Sequence, residues 1–363
     1  MRQRNRAIAA ATAAILMLSF TSAQAAAAAP HEPDVDLRDA QSIVEEIAPT
    51  LVGAPGEKSA LDISTHPDGA QGREAPQIKA SSMNGGAGTA IGVDYVDAST
   101  RLESGEFTVF ESATSGIAAY VHPTHDGVQI ITAIASANAP DSFSYTLDVP
   151  AGTDLVSAHD GLVFNLVDPA GDRIGLLAAP WAVDSTGRSL PTSFTWEGTT
   201  LTQHVDFSGP AIRFPVIADP DWQYGVDYSL GSASPGSAWA QLHSCLSCYL
   251  PIEGAPAVYP SDGSDLPLVV RFATVVNNFH CTMGSTYNSM PSGWGWYFAA
   301  ADGHIDGRGS AIFFDVIRNR STGQTRLWVG GIVHNDFPGG LPNPLYVTFA
   351  AAQWAGFAQN LSL

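Results

Sequence analysis

The apolar residues of this chain fall into three successive rhythms. The first is an apolar run from Ala7 to Phe20, too short to cross a bilayer comfortably. From Glu106 onward the dominant rhythm has period two. Phe107-Thr108-Val109-Phe110, Val128-Gln129-Ile130-Ile131, Phe143-Ser144-Tyr145-Thr146-Leu147, the run from Leu162 to Val167 and Ile174-Gly175-Leu176-Leu177 all read as strands, because alternate side chains of an extended chain share a face. The breaks between them, Pro150-Ala151-Gly152, His159-Asp160-Gly161, the segment Asp168 to Asp172, and Asp184-Ser185-Thr186-Gly187, carry the residues that tight turns demand. Strands at this close spacing predict antiparallel hairpins. A second set follows at Leu268–Phe272, Gly295–Ala299, Ala311–Ile317 and Thr325–Val329. Only near the end does the period turn helical, through Phe349, Trp354, Phe357 and Leu361, predicting a helix over Tyr346–Leu361. The expected fold is mainly β: two β-rich domains of sandwich or barrel type, the second with a C-terminal helix.

The ends of these rhythms set domain limits. Arg2, Arg4 and Arg6, the apolar run and the small-residue site Ala23-Gln24-Ala25 form a secretory signal over residues 1–25. No cysteine follows the run to take a lipid, so the expected product is secreted, with no membrane insertion after the signal is removed. Residues 26–105 are acidic and rich in Ala, Gly, Ser and Pro; they read as a linker or propeptide, with one short helix over Asp39–Ile47. A β-rich module is expected over 106–222, and a domain holding all three cysteines and most of the tryptophans over 223–363.

Charge narrows the partners. Thirty-five acids face 16 bases, a formal net charge of −19, and the only lysines are Lys58 and Lys79. Such a chain has no basic surface to neutralise phosphates, which argues against nucleic acid and against docking on an anionic membrane.

The middle module carries a recognisable set of segments: Val149-Pro150-Ala151-Gly152, Ala179-Pro180-Trp181-Ala182-Val183-Asp184, Leu201-Thr202-Gln203-His204-Val205 and the exit Phe214-Pro215-Val216-Ile217-Ala218-Asp219-Pro220 before Trp222. In combination they resemble a β-rich module of exported actinobacterial proteins of unknown function, over residues 105–222. The resemblance implies a shared presentation or export-associated piece followed by differing C-terminal parts. It brings no catalytic residues.

Three groups in the last domain invite chemistry. Cys245-Leu246-Ser247-Cys248 and Cys281 admit a disulfide from Cys281 to Cys245 or Cys248, as an oxidising compartment favours. They also admit a zinc site completed by His243 or His280, or a redox pair at Cys245/Cys248 that lacks a thioredoxin-like βαβ setting. The disulfide to Cys281 is the expectation, and no cofactor or metal is implied. His304 and Asp306 sit two apart, and His334-Asn335-Asp336 repeats the theme. A hydrolase could use these histidines as general bases with Ser310 or Cys281 as nucleophile, or gather the same groups around a metal. Asp302, His304, Asp306 and Asp336 could alternatively hold calcium. The Asp-Gly pairs at 302–303 and 306–307 equally fit plain turns. Trp294, Trp296 and Trp328, with Tyr287, Tyr297 and Trp354, could stack on sugar rings, although their alternation also fits a core. The expectation is therefore a non-catalytic binding protein for a glycan, wall polymer or protein. The alternative is a secreted hydrolase or toxin-like effector using His304, Asp306 and His334, and a structural envelope protein is a third class.

Overall fold

In the computed structural model the described residues are 36–48, 61–67, 74–80, 89–112, 116–124, 127–209, 211–223, 226–272, 275–290, 293–304, 307–308, 310–320, 322–332 and 343–361. The signal-like N-terminus lies outside them. Val35–Leu363 forms one compact unit built from three antiparallel sheets, so the mainly β expectation holds. No helix among the described residues is long and apolar enough to cross a membrane.

The first sheet runs in the order Leu61–Pro67, Glu74–Ala80, Ala90–Val93, Ser142–Leu147, Thr200–Val205 and Thr192–Glu197. Its inner face carries Ile78, Ile91, Val93, Phe143, Tyr145 and Leu201, packed against a second, ten-stranded sheet through Phe110, Val121, Ile130 and Leu177. Three of its six strands come from residues 61–93, part of the segment expected to be linker. That expectation is corrected: the first two strands there carry polar side chains on one side, but their few inward side chains and those of Ala90–Val93 complete the core. Helix α1 (Ala40–Ile47) forms where predicted, its N-cap Asp39 accepting a hydrogen bond from the Ser42 amide. Val44 and Ile47 of α1 cover the opposite face of the second sheet, meeting Phe107, Val109, Tyr120, Ile131 and Ile217. The strands Ile117–Pro123 and Gly127–Ile134 are thus buried on both sides, and Ile117–Val121 accordingly is apolar without a break.

The third sheet holds seven strands, ordered Val226–Ser229, Thr325–Ile332, Ala311–Arg318, Gly293–Ala300, Val275–Met283 and Asp265–Phe272, with Tyr287–Met290 added against Gly293–Ala300. One face packs on three helices: α2 (Pro235–Ser244), α3 (Leu246–Tyr249) and the C-terminal α4 (Asn343–Leu361). Leu242, Leu246, Phe357 and Leu361 meet Met283, Trp296, Phe314 and Leu327 there. The other face meets the first module. Ala311, Phe313 and Trp328 pack on Ala158, Val163 and Leu176, and Ile317 packs on Val167.

If residues 61–93 are structural, trimming a buried methyl-rich side chain among them must weaken the whole. Ile78→Ala is expected to lower unfolding stability by about 2–5 kcal/mol, measured by urea denaturation. A linker residue would give no change.

Candidate functional site

The residues singled out from the sequence scatter. His304 is buried, its ring edge-on to Phe279 at 4.4 Å. Asp306 and His334 lie outside the described residues. Ser310 and Cys281, the candidate nucleophiles, are buried as well. The three tryptophans are interior, which corrects the sugar-platform reading of them. Trp296 stacks between Trp294 at 5.1 Å and Phe314 at 4.8 Å, and Trp294 Nε1 donates to the Pro235 carbonyl at 2.7 Å. Trp328 lies under the Arg173 guanidinium, 4.4 Å from its ring centroid. Alternation along the two strands puts these rings toward neighbouring layers, so packing takes the faces a sugar would need. The disulfide expectation is corrected too. Cys245 bonds Cys248, with Cα atoms 5.3 Å apart, and Cys281 is a buried thiol outside the bridge. Cys281 points into the sheet core, whereas the other two meet across one turn at the α2–α3 junction.

The densest ionisable group joins the two modules, and its centre is Asp315. Period two sends Phe313, Asp315 and Ile317 toward the first module while Phe314 and Val316 face the helices. Arg173 donates to Asp315 Oδ2 at 2.6 Å, Tyr287 donates to Oδ1 at 2.9 Å, and His159 Nε2 stands 3.3 Å from Oδ1. Asp315 and His159 are both wholly buried. Burial pushes the Asp315 carboxyl up, but His159, Arg173 and the Tyr287 hydroxyl outweigh it and hold the carboxyl below its ordinary range. Room for the carboxylate exists only because residue 295 is glycine; a Cβ there would collide with Asp315 Oδ1. Next door, Asp160 accepts from Ser285 and Tyr297, both at 2.8 Å, and these hydroxyls draw its carboxyl down. His159, Asp160 and Gly161 all take positive φ (50°, 57° and 86°), a costly conformation for two non-glycine residues that aims ring and carboxylate across the seam. The sequence did carry one sign of this cluster: Asp315 is the lone charge in Ala311-Ile312-Phe313-Phe314-Asp315-Val316-Ile317.

A second polar group is open. The outward face of the first sheet carries Ser142, Ser144 and Thr146 on one strand, Thr200, Thr202 and His204 on the next, and Ser193, Thr195 and Glu197 on the edge. Ser142 donates to Asp141 at 2.9 Å, so its hydroxyl must accept from His204 Nδ1 at 3.0 Å. His204 Nε2 is then the acceptor for the Thr195 hydroxyl at 2.9 Å. Ser144 and Thr202 pair at 3.1 Å. Farther along, His66 lies over Gly92, where a side chain would collide with the ring, and stands 3.3 Å from Asp94, which also accepts from Thr146 at 2.6 Å. The result is a half-exposed lattice of hydroxyl and imidazole groups in fixed orientations.

The third group is interior. Asp219 is fully buried and accepts from the Gln129 amide. Burial, then Asp221, pushes its carboxyl well above the ordinary range, because a low-dielectric interior disfavours the charged form.

With these sites defined, no protein-family model, curated protein or solved structure matches the chain.

Two substitutions test the electrostatics. Asp315→Ala strips the buried Arg173 guanidinium of the carboxylate it donates to at 2.6 Å and is expected to cost about 3–5 kcal/mol in urea unfolding; an unchanged midpoint would contradict the pairing. For Asp219 the native carboxyl pKa is raised, so the folded state binds the extra proton, and stability falls as pH rises from the ordinary carboxylate range through the raised value. Asp219→Asn removes that loss. The variant should melt higher than the parent at pH 7, with the gain shrinking toward pH 4.

Proposed function

We propose that the protein is exported and acts outside the membrane as a non-catalytic binding protein. Its first module would present the hydroxyl-lined face of the six-stranded sheet to a neutral polyhydroxylated polymer, a glycan of the cell wall or surface. The observation that carries this reading is the lattice Ser142, Ser144, Thr195, Thr202 and His204, a half-exposed set of hydroxyl and imidazole groups on a strongly acidic protein. Groups on neighbouring strands recur at about 4.8 Å, close to the rise of a pyranose unit along an extended chain. Side chains already oriented by one another lose little freedom on binding.

Export is supported by the basic start at Arg2, Arg4 and Arg6, the apolar run to Phe20 and the small-residue site at Ala23–Ala25. The Cys245–Cys248 bridge suits an oxidising compartment. The resemblance of residues 105–222 to a module of exported actinobacterial proteins points the same way. Against the hydrolase alternative stands the burial of His304, Ser310 and Cys281.

The test is retention on insoluble cell-wall polysaccharide. The parent should be retained, and Thr195→Val with Thr202→Val should weaken retention roughly tenfold, the loss of two hydrogen bonds of about 0.5–1.5 kcal/mol each, at an unchanged melting temperature. A parent that passes through unretained, or a variant retained equally well, overturns the proposal.

A further inference from the structure

The Cys245–Cys248 bridge has little to do as a staple. It joins residues three apart, and so short a loop removes little freedom from the unfolded chain. Its surroundings are held by other means. The Leu246 amide donates to the Ala257 carbonyl at 2.8 Å and the Ser247 amide to the Pro256 carbonyl at 3.1 Å. Leu246 and Leu250 are buried in the core, and Asn360 of α4 donates to the Tyr249 carbonyl at 2.9 Å. Helix α3 therefore keeps its place whether or not the sulfurs are bonded.

The bridge is also reachable. Cys248 is exposed and Cys245 half-buried, so an incoming thiolate meets Cys248 first. Ser247 Oγ lies 3.8 Å from Cys245 Sγ, where its hydroxyl can donate to a departing thiolate. Beside this point the chain offers an apolar shelf. The bond from Leu246 to Ala257 sets the segment that continues into Val258, 75% exposed, and Tyr259 against the start of α3, which carries the bridge. Tyr259 stacks on His243 at 4.0 Å, and His243 lies against Trp239 at 3.7 Å.

We propose that Cys245–Cys248 is an exchangeable disulfide that oxidises a pair of cysteine thiols on a client polypeptide, whose flanking residues rest on the shelf of Val258, Tyr259 and His243. A client thiolate attacks Cys248 Sγ; the bond to Cys245 breaks, and Cys245 leaves as a thiolate hydrogen-bonded by Ser247. The second client thiolate then attacks the client sulfur of the mixed disulfide and expels Cys248. The client gains a disulfide and loses two electrons; Cys245 and Cys248 gain those electrons and the two protons the client thiols gave up. This activity is independent of glycan binding by the first module and stands or falls separately.

The full protein, treated with dithiothreitol without denaturant and quenched with maleimide, should take up two labels at Cys245 and Cys248 while Cys281 stays unlabelled and the melting temperature holds. With glutathione disulfide, the Cys245→Ser variant should form a mixed disulfide at Cys248 at least tenfold faster than Cys248→Ser forms one at Cys245. A reduced two-cysteine peptide should be oxidised stoichiometrically, at least tenfold faster than by the Cys245→Ser/Cys248→Ser double variant. A bridge that opens only in denaturant, equal trapping at the two sulfurs, or no acceleration of peptide oxidation each overturns the proposal.

Discussion

One buried carboxylate holds the two halves of the molecule in register. Asp315 comes from the third sheet, Arg173 from the second, and His159 from a turn of the first module. Taking these groups out of water is expensive, and their attraction repays the cost only when the geometry is good and the remaining lone pairs are satisfied. Tyr287 supplies the further hydrogen bond, and Trp328 receives the flat side of the guanidinium. The apolar contacts around them tolerate small slides between layers. The charged cluster does not, since any displacement leaves a buried charge without its partner. It therefore specifies how the modules meet more than it adds to their adhesion.

Much of the β architecture is legible in the chain because one face of a strand meets water. Ser142–Leu147 alternates half-buried and buried positions, and its sequence alternates accordingly. Where both faces are covered the signal fades. Ile117–Pro123 lies between α1 and the first sheet, so its side chains carry no period to read. The failure over residues 61–93 has the opposite cause. Each of those strands puts only a few apolar residues inward, Ile78 on one, Ile91 and Val93 on another, and no local window collects enough of them to resemble a core.

The candidate chemistry was legible in kind but not in place. Histidines and carboxylates do cluster, yet the partners are His159, Asp160 and Asp315, with His159 and Asp315 156 positions apart on a turn and a strand that tertiary packing brings together. His159-Asp160-Gly161 has the composition of a turn and is one; nothing local shows that its left-handed backbone aims two ionisable side chains at another sheet. The tryptophans mislead for a related reason, since a ring suited to stacking on a sugar is equally suited to stacking on Phe314. Cysteine pairing followed proximity along a helical turn, while Cys281 was claimed by the interior of its own strand.

Glycine at position 295 gives this seam an unusual vulnerability. The space a single methyl would fill is the space the Asp315 carboxylate uses, and the strand carrying residue 295 also packs Trp294 and Trp296 against the helices. An alanine there would press on the Asp315 carboxylate, the Phe314 carbonyl and the Tyr287 hydroxyl together. One methyl group at that position is therefore enough to disturb the contact by which the two modules hold each other.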